Sequence, residues 1–294
     1  MKRRILLSWS VAMLLSVAAY AQMPDQYLDV TIARVKPDKR AEFDAVCRKM
    51  VEANRKNNGD TWVAMETVYG ESNVVTFIST RASYADAEKG EGAFLGALSK
   101  AYGQAGGEKL FQEYNNTIVS SRGEIRRRRW DLSSNVPSDP AAATKMIGES
   151  RWLRTVRIRV KPGQAPNYET FLQSLKAAEE KSSEKAVLLV SQVMAGQEGT
   201  VFYVSRLAKS MGDFDGGSTL KELLGDDGFQ NYLKITAESV QGTETVINHW
   251  LPELSNAPAA YAAASPDFWT PKPKAVAKSK PKTEGAKPES TEKK

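Results

Sequence analysis

The side chains best suited to chemistry in this sequence are arginines that recur on its predicted strands. Arginine presents a planar fork of donors that matches a carboxylate or a phosphate, so converging copies would hold an anionic ligand. Four occur in a row, from Arg126 to Arg129, where the second half of the chain has Val246 to His249. The predicted ligand-binding residues are Arg34, Arg157, Arg159, Arg81, Arg206 and His249.

The same arginines also have a purely structural interpretation. They would then pair with Glu66, Glu71 or Glu124, or lie at exposed strand ends. On one predicted strand, apolar residues alternate with two of these arginines. If Val156, Ile158 and Val160 face the helices, Arg157 and Arg159 face the inner side. Both hypotheses remain open on the sequence alone.

The chain contains one histidine and one cysteine, which limits metal and thiol chemistry. A disulfide within the chain, a multi-cysteine zinc or iron–sulfur site and a multi-histidine site are all excluded. His249 is expected to be a hydrogen-bonded structural group on a strand, with a haem ligand as the sharper alternative. Cys47 falls on a buried helical stripe at the position of Leu172, which is typical of a core residue. No metal and no cofactor are predicted.

An internal repeat positions these residues. Arg34-Val35-Lys36-Pro37 recurs as Arg159-Val160-Lys161-Pro162, and residues 31–81 align with 156–206 without a gap and with nine identities. Phe111-Gln112-Glu113-Tyr114 likewise matches Phe229-Gln230-Asn231-Tyr232, and Trp130 matches Trp250. We therefore interpret the chain as two homologous halves.

Each half has the same predicted element order, β-α-β-β-α-β. The Lys-Pro step is expected to open a helix whose apolar residues recur at helical spacing. The predicted strands are 27–35, 61–69, 74–81 and one ending at Trp130, and then 152–160, 186–194, 200–206 and one ending at Trp250. The helical stripes are Phe43, Val46, Cys47 and Met50 in the first half and Tyr168, Phe171, Leu172 and Leu175 in the second.

Composition divides the 294 residues into five segments. These are a signal peptide at 1–21, a first ferredoxin-like repeat at 22–130, a linker at 131–150, a second repeat at 151–254, and an Ala/Pro/Lys-rich disordered tail at 255–294. The basic n-region, the apolar run and Ala19-Tyr20-Ala21 predict cleavage after Ala21 and a periplasmic or secreted protein.

The positive charge that gives the chain its net +6 lies at its two ends. The signal contributes +3 and the stretch from Pro271 contributes eight Lys and three Glu, which leaves residues 22–270 at −2. The folded part therefore lacks the basic footprint of a nucleic-acid-binding domain, and no nucleic-acid partner is predicted. A weak contact between the basic tail and an anionic envelope surface is the one further partner that the charge indicates. The oligomeric state is left open.

Tandem ferredoxin-like halves of this size resemble the dimeric α+β barrel superfamily, over residues 25–254. That group includes antibiotic-biosynthesis-monooxygenase-like, NIPSNAP-like and EthD-like proteins, and the haem-binding chlorite dismutases and dye-decolourising peroxidases. The resemblance implies two four-stranded sheets that face each other and close a barrel, with the helices outside. It rests on element order and duplication, so it implies a fold and no functional residue.

Three functions remain open. The leading hypothesis is an exported protein that binds a small molecule, with an anion as one option, in the cleft between its two repeats. The alternatives are a cofactor-independent monooxygenase-like or isomerase-like enzyme acting on an aromatic substrate, and a structural envelope protein. For the enzyme, the aromatic residues expected to line the cleft are Trp62, Tyr69, Phe77 and Tyr203.

Overall fold

The computed structural model describes residues 23–271, and these form an eight-stranded closed barrel surrounded by helices. The strands are β1 (Tyr27–Val35), β2 (Val63–Tyr69), β3 (Val74–Arg81), β4 (Ile118–Arg128), β5 (Trp152–Val160), β6 (Leu188–Ala195), β7 (Thr200–Ala208) and β8 (Val240–Trp250). The helices are α1 (Arg40–Lys56), α2 (Tyr84–Thr117), α3 (Pro140–Glu149), α4 (Ala165–Lys181), α5 (Leu220–Ser239), α6 (Ala259–Ala264) and α7 (Pro266–Trp269). The predicted signal peptide and the stretch from residue 272 onward lie outside this range.

Every strand pairing in the barrel is antiparallel, and the order around it is β1-β3-β2-β8-β5-β7-β6-β4. Each half contributes four strands in the same arrangement. The two seams, β2 with β8 and β4 with β6, join one half to the other. The predicted α+β barrel within one chain is therefore confirmed.

The helices cover the outside of the barrel because one side of each strand is apolar. In the first half, Phe43 and Cys47 of α1 pack on Ala33 and Val35 of β1. In the second half, Tyr168, Phe171 and Leu172 of α4 pack in one cluster with Ile158 and Val160 of β5. The second predicted stripe thus packs against the sheet, whereas the first is divided, with Val46 and Met50 packed against α2. Val156, Ile158 and Val160 face the helices as predicted.

The long helices α2 and α5 each bend at a glycine. Gly103 has φ 72° and Gly225 has φ 69°, values in the left-handed region that glycine adopts at no steric cost. Because of this bend, α2 can begin soon after β3, and α5 after β7, while the later part of each helix packs on the sheet.

Besides shifts of one or two residues at the ends of β2, β6 and β7, four details differ from the sequence-based expectation. Strand β4 ends at Arg128 and not at Trp130. Pro162 precedes a turn at Gly163 (φ 77°), so α4 begins only at Ala165, with Pro166 in its first turn. The linker 131–150 contains α3.

The fourth difference is the largest. The part of the predicted disordered tail that the structure describes, 255–271, folds into α6 and α7. Trp269 is 1% exposed and donates from its indole nitrogen to the carbonyl of Gly148 at 2.7 Å. Alanine and proline dominate the composition of this segment, but its aromatic residues supply the buried area that orders it. We call α3, α6 and α7 together the cap, because they close one end of the barrel.

Candidate functional site

A cavity of about 240 Å³ occupies the barrel interior, and strands from both halves line it. At one end the lining is charged and open to solvent: the side chains of Glu71, Arg122 and Glu244 are about half exposed there. At the other end Ile147 and Tyr261 of the cap form the floor. A small molecule can therefore enter from the charged rim and reach an enclosed floor.

Four alternating residues of β4 carry charge into this cavity: Arg122, Glu124, Arg126 and Arg128. Alternate residues of a strand face the same side of a sheet, and here that side is the barrel interior. The wall around the floor is mostly apolar and consists of Val63, Ile78, Leu153, Leu189, Leu207 and Trp250.

Glu124 is the centre of a polar network on this wall, and its side chain has no exposed surface. Arg126 donates from Nε at 2.8 Å, Arg122 lies 3.0 Å away, and the hydroxyl of Tyr203 donates at 3.2 Å. The amide of Gln197 donates to the other carboxylate oxygen. Burial raises the pKa of Glu124, but Arg126 and Gln197 outweigh it and hold that pKa below its ordinary value.

The turn between β6 and β7 brings Gln197 to this network. Gly196 has φ 94°, and a Cβ atom at this position would lie only 2.1 Å from the carbonyl oxygen of Gly123 on β4. Glycine therefore permits the two backbones to approach closely where the halves meet. The oxygen of Gln197 also accepts from Arg157 at 3.1 Å, and Arg157 reaches Glu244 at 3.2 Å.

Arg128 differs from Arg122, Arg126 and Arg157, the other arginines that line the cavity, because it has no acidic partner within the described residues. Its Nε is buried and makes no hydrogen bond there, and its guanidinium carbon lies 5.6 Å from the centre of the Trp130 ring. Burial lowers the pKa of Arg128 to about 10, against a small opposing effect of Tyr261. Arg128 remains a cation at neutral pH, at the apolar end of the cavity.

The six residues predicted to bind a ligand do not converge on one place. Arg157 lies in the cavity, while Arg34 is on the same inner side at the exposed rim and pairs with Glu71 at 2.6 Å. Arg159 lies two residues after Arg157 on β5, so it faces the same inner side, closer to the rim.

The other three lie outside the barrel. Arg81 is 8% exposed and pairs with Asp60 at 2.6 Å, and Arg206 donates to the carbonyl of Asp213 at 2.8 Å. His249 stacks on Trp152, with ring centroids 4.4 Å apart, and burial lowers its pKa although Glu66 opposes this. The matched arginines of β3 and β7 therefore face the helices and not the cavity.

The run of arginines on β4 is evident from the sequence, but Arg128 was not among the predicted ligand-binding residues. Alternation in the stretch from Arg122 to Arg128 is the signal that groups its even-numbered residues on one face. Nothing in the sequence shows that Glu124 contacts two of these arginines and leaves Arg128 without an acidic partner.

A second cavity, of about 250 Å³, lies between α1, α2 and the sheet of the first half. We call it the helix–sheet cleft. Its walls include Cys47, Trp62 and Phe94, and the Arg81–Asp60 pair borders its polar end. The four aromatic residues predicted to line one cleft lie in three different places. Trp62 and Phe77 line the helix–sheet cleft, and Tyr203 lines the barrel cavity. Tyr69 is 60% exposed.

Within residues 23–271, no group of three His, Cys, Asp or Glu side chains is arranged as metal ligands would be. No helix in the same range combines the length and apolar character needed to span a bilayer. The lone Cys47 thiol is buried, and burial raises its pKa.

No family model matches the sequence, and no curated protein matches it. The fold does match solved structures. An anthrone oxidase-like protein superposes with a TM-score of 0.50 at 10% identity, covering 79% of this chain and 93% of its own. A candidate monooxygenase from Lactobacillus acidophilus NCFM gives 0.46 at 8% identity, covering 76% and 93%. Chlorite dismutase from Candidatus Nitrospira defluvii gives 0.43 at 10% identity, covering 81% and 94%.

These identities support a common fold and nothing finer. The closed barrel, its order of strands and its outer helices agree with that likeness. The chain therefore has the fold of the dimeric α+β barrel proteins, with both halves of the barrel supplied by one polypeptide.

Proposed function

We propose that this protein binds a small anionic molecule inside its barrel, between the two halves, and that Arg128 neutralises the charge of that molecule. One observation carries the proposal: Arg128 is a cation beside an apolar cavity, with no acidic partner in the described part of the chain. An isolated buried charge is costly, because the protein interior solvates it far less well than water does. A bound anion would remove that cost.

The remaining charges of the cavity support this choice of residue. Arg122 and Arg126 share Glu124, and Arg157 is held by Glu244 and Gln197. An incoming anion would have to break one of these pairs to use another arginine. Arg128 can accept an anion without such a loss.

Two wider features complete the proposal. The N-terminal 21 residues support export, so we place the activity outside the cytoplasm. The identical order of elements in 27–128 and 152–250 supports an origin by tandem duplication. Sequencing the N-terminus of the protein recovered from the cell envelope tests the export: a mature chain that begins at Gln22 is expected.

Native mass spectrometry of the protein purified without denaturant tests the binding function. We expect an excess mass that disappears on denaturation and that is absent from the Arg128→Met variant. Arg127→Met is the matched control, because Arg127 is adjacent in sequence but lies outside the barrel and pairs with Asp25. An adduct retained by Arg128→Met would contradict the assignment of the site.

A second candidate function is oxidation of an aromatic substrate in the helix–sheet cleft. Its edge-on aromatic contacts, Trp62 with Phe94 at 5.6 Å and Phe94 with Phe111 at 5.9 Å, favour a flat apolar ligand. One structural neighbour is described as anthrone oxidase-like. The corresponding reaction would convert the methylene group of an anthrone to a carbonyl, with one oxygen atom of O₂ entering the product and the other leaving as water.

Oxygen uptake with anthrone as the probe tests this candidate. If the cleft is the site, Cys47→Leu lowers the rate because the larger side chain fills the cleft, whereas Arg128→Met leaves the rate unchanged. A rate no greater than that without protein, or one that Arg128→Met abolishes, argues against oxidation in the cleft.

A further inference from the structure

Among residues 23–271, Arg128 is the one arginine lining the barrel cavity that has no acidic partner. Arg122 and Arg126 are engaged by Glu124, and Arg157 by Glu244. Each of these three arginines already contacts a carboxylate, so a second negative charge on the ligand would have to compete with Glu124 or Glu244 for them. The charge pattern therefore favours a ligand with a single negative charge.

The donors around Arg128 favour a planar anion. Its backbone N–H is already used by the carbonyl of Gln26 at 2.8 Å, as expected in a continuous strand ladder. A tetrahedral oxyanion such as phosphate is usually held by several backbone N–H groups at a helix start or in a turn. The guanidinium fork alone suits the two coplanar oxygens of a carboxylate.

The walls next to this charge favour an apolar body on the ligand. Ile147, Leu153, Leu207 and Trp250 line the end of the cavity that the cap closes. Polar groups face the opposite end, where the rim is exposed to solvent. A ligand whose carboxylate meets Arg128 would therefore bury its hydrocarbon part against this wall.

We propose that the ligand of the barrel cavity is a monocarboxylic acid with an aromatic or branched aliphatic body. This inference rests on the proposed function, because it uses the same site and the same arginine. It adds the chemical class: one carboxylate, no second charge, and a compact apolar group small enough for about 240 Å³.

Isothermal titration of the full chain with five probes tests the class. Benzoate has the predicted charge and body. Benzyl alcohol has the ring without the charge, acetate has the charge without the ring, phthalate adds a second carboxylate to the same ring, and inorganic phosphate is a tetrahedral anion. We expect benzoate to bind about tenfold or more tightly than each of the other four. Benzyl alcohol lacks the charge, acetate and phosphate lack the ring, and the second carboxylate of phthalate competes with Glu124 and Glu244.

Variants then locate the binding. Arg128→Met should reduce benzoate affinity about tenfold or more, to the level of benzyl alcohol, and Arg127→Met should leave it unchanged. Arg128→Lys keeps the charge but loses the fork, and it should weaken benzoate to an intermediate degree. If Arg128→Met does not fold, the lysine variant and the wild-type probe series still decide the question.

The outcomes separate this inference from the function on which it rests. Acetate, phthalate or phosphate binding as tightly as benzoate, with a dependence on Arg128, would overturn the monocarboxylate class and leave the anion site standing. No Arg128-dependent binding of any of these anions would overturn both.

Discussion

Arg126 and Glu124 stand side by side on the inner face of one strand, with Arg126 Nε 2.8 Å from Glu124 Oε2 and the carboxylate fully buried. The guanidinium of Arg126 also lies 3.6 Å from the ring centre of Tyr203, whose hydroxyl donates to the same carboxylate. Two residues further along, Arg128 lies in the same interior without an acidic partner among residues 23–271. A paired and an unpaired arginine thus occupy adjacent inner positions of β4, and they should respond to substitution in opposite ways.

Arg126→Met should destabilise the fold by about 3–5 kcal/mol, because it removes one partner of a buried ion pair and leaves Glu124 only partly compensated. The free energy of unfolding from urea titration measures this. Arg127→Met provides the surface comparison, where a change of no more than about 1 kcal/mol is expected. Equal effects of the two substitutions would show that the Glu124 network contributes little.

Arg128→Met should leave the unliganded protein as stable as the wild type or more stable. The substitution removes a partly buried charge that lacks an acidic partner among residues 23–271, and it places an apolar side chain there instead. The same urea titration, carried out on protein freed of bound molecules by refolding, checks the sign. A loss of unfolding free energy comparable to that of Arg126→Met would mean that a group within the protein pairs with Arg128.

Glu124 should make stability depend on pH in the acid range. Its pKa is held below the ordinary value of 4.5 in the folded state, so the unfolded chain takes up a proton first as the pH falls. The resulting stabilisation is complete above 4.5 and is lost as the pH falls through the lower pKa of the folded state. Unfolding free energies from pH 6 to 3 should therefore decline less steeply in Glu124→Gln than in the wild type. Parallel profiles would contradict this assignment.

Trp269 should act as the anchor of the cap. It is almost fully buried, contacts Trp250 and Phe268 through ring pairs at 6.2 and 4.9 Å, and donates to Gly148. Trp269→Ala should cost about 3–5 kcal/mol, as large-to-small core substitutions do. Thermal unfolding with Phe268→Ala as the less buried comparison measures it. A loss below about 1 kcal/mol would indicate that the cap is not part of the cooperative fold.

Strand positions could be predicted from sequence because alternation and turn residues are local properties. The bounds of β1, β3 and β5 agree with the expected ones residue for residue. The side of the sheet that Arg157 faces was also predicted correctly. Arg81 and Arg206 recur at matched positions, but both face the helices. Each lies four residues after a helix-facing phenylalanine of its strand, Phe77 or Phe202, and this even spacing indicates the same side of the sheet.

The site itself depends on contacts that sequence spacing does not encode. Gln197 reaches Glu124 only because the β4–β6 seam brings two distant segments together. The cap was missed for a different reason: an Ala/Pro-rich composition is typical of a linker, and its few aromatic residues become informative only when the barrel end that they cover is known.

The most direct test of the account is a crystal structure of the protein soaked with 4-bromobenzoate, recorded at the bromine absorption edge. We predict one anomalous peak inside the barrel, on the apolar wall near Trp250, with the carboxylate within hydrogen-bonding distance of Arg128. A peak in the helix–sheet cleft beside Trp62, or a barrel without a peak in crystals that bind the probe elsewhere, would contradict the account.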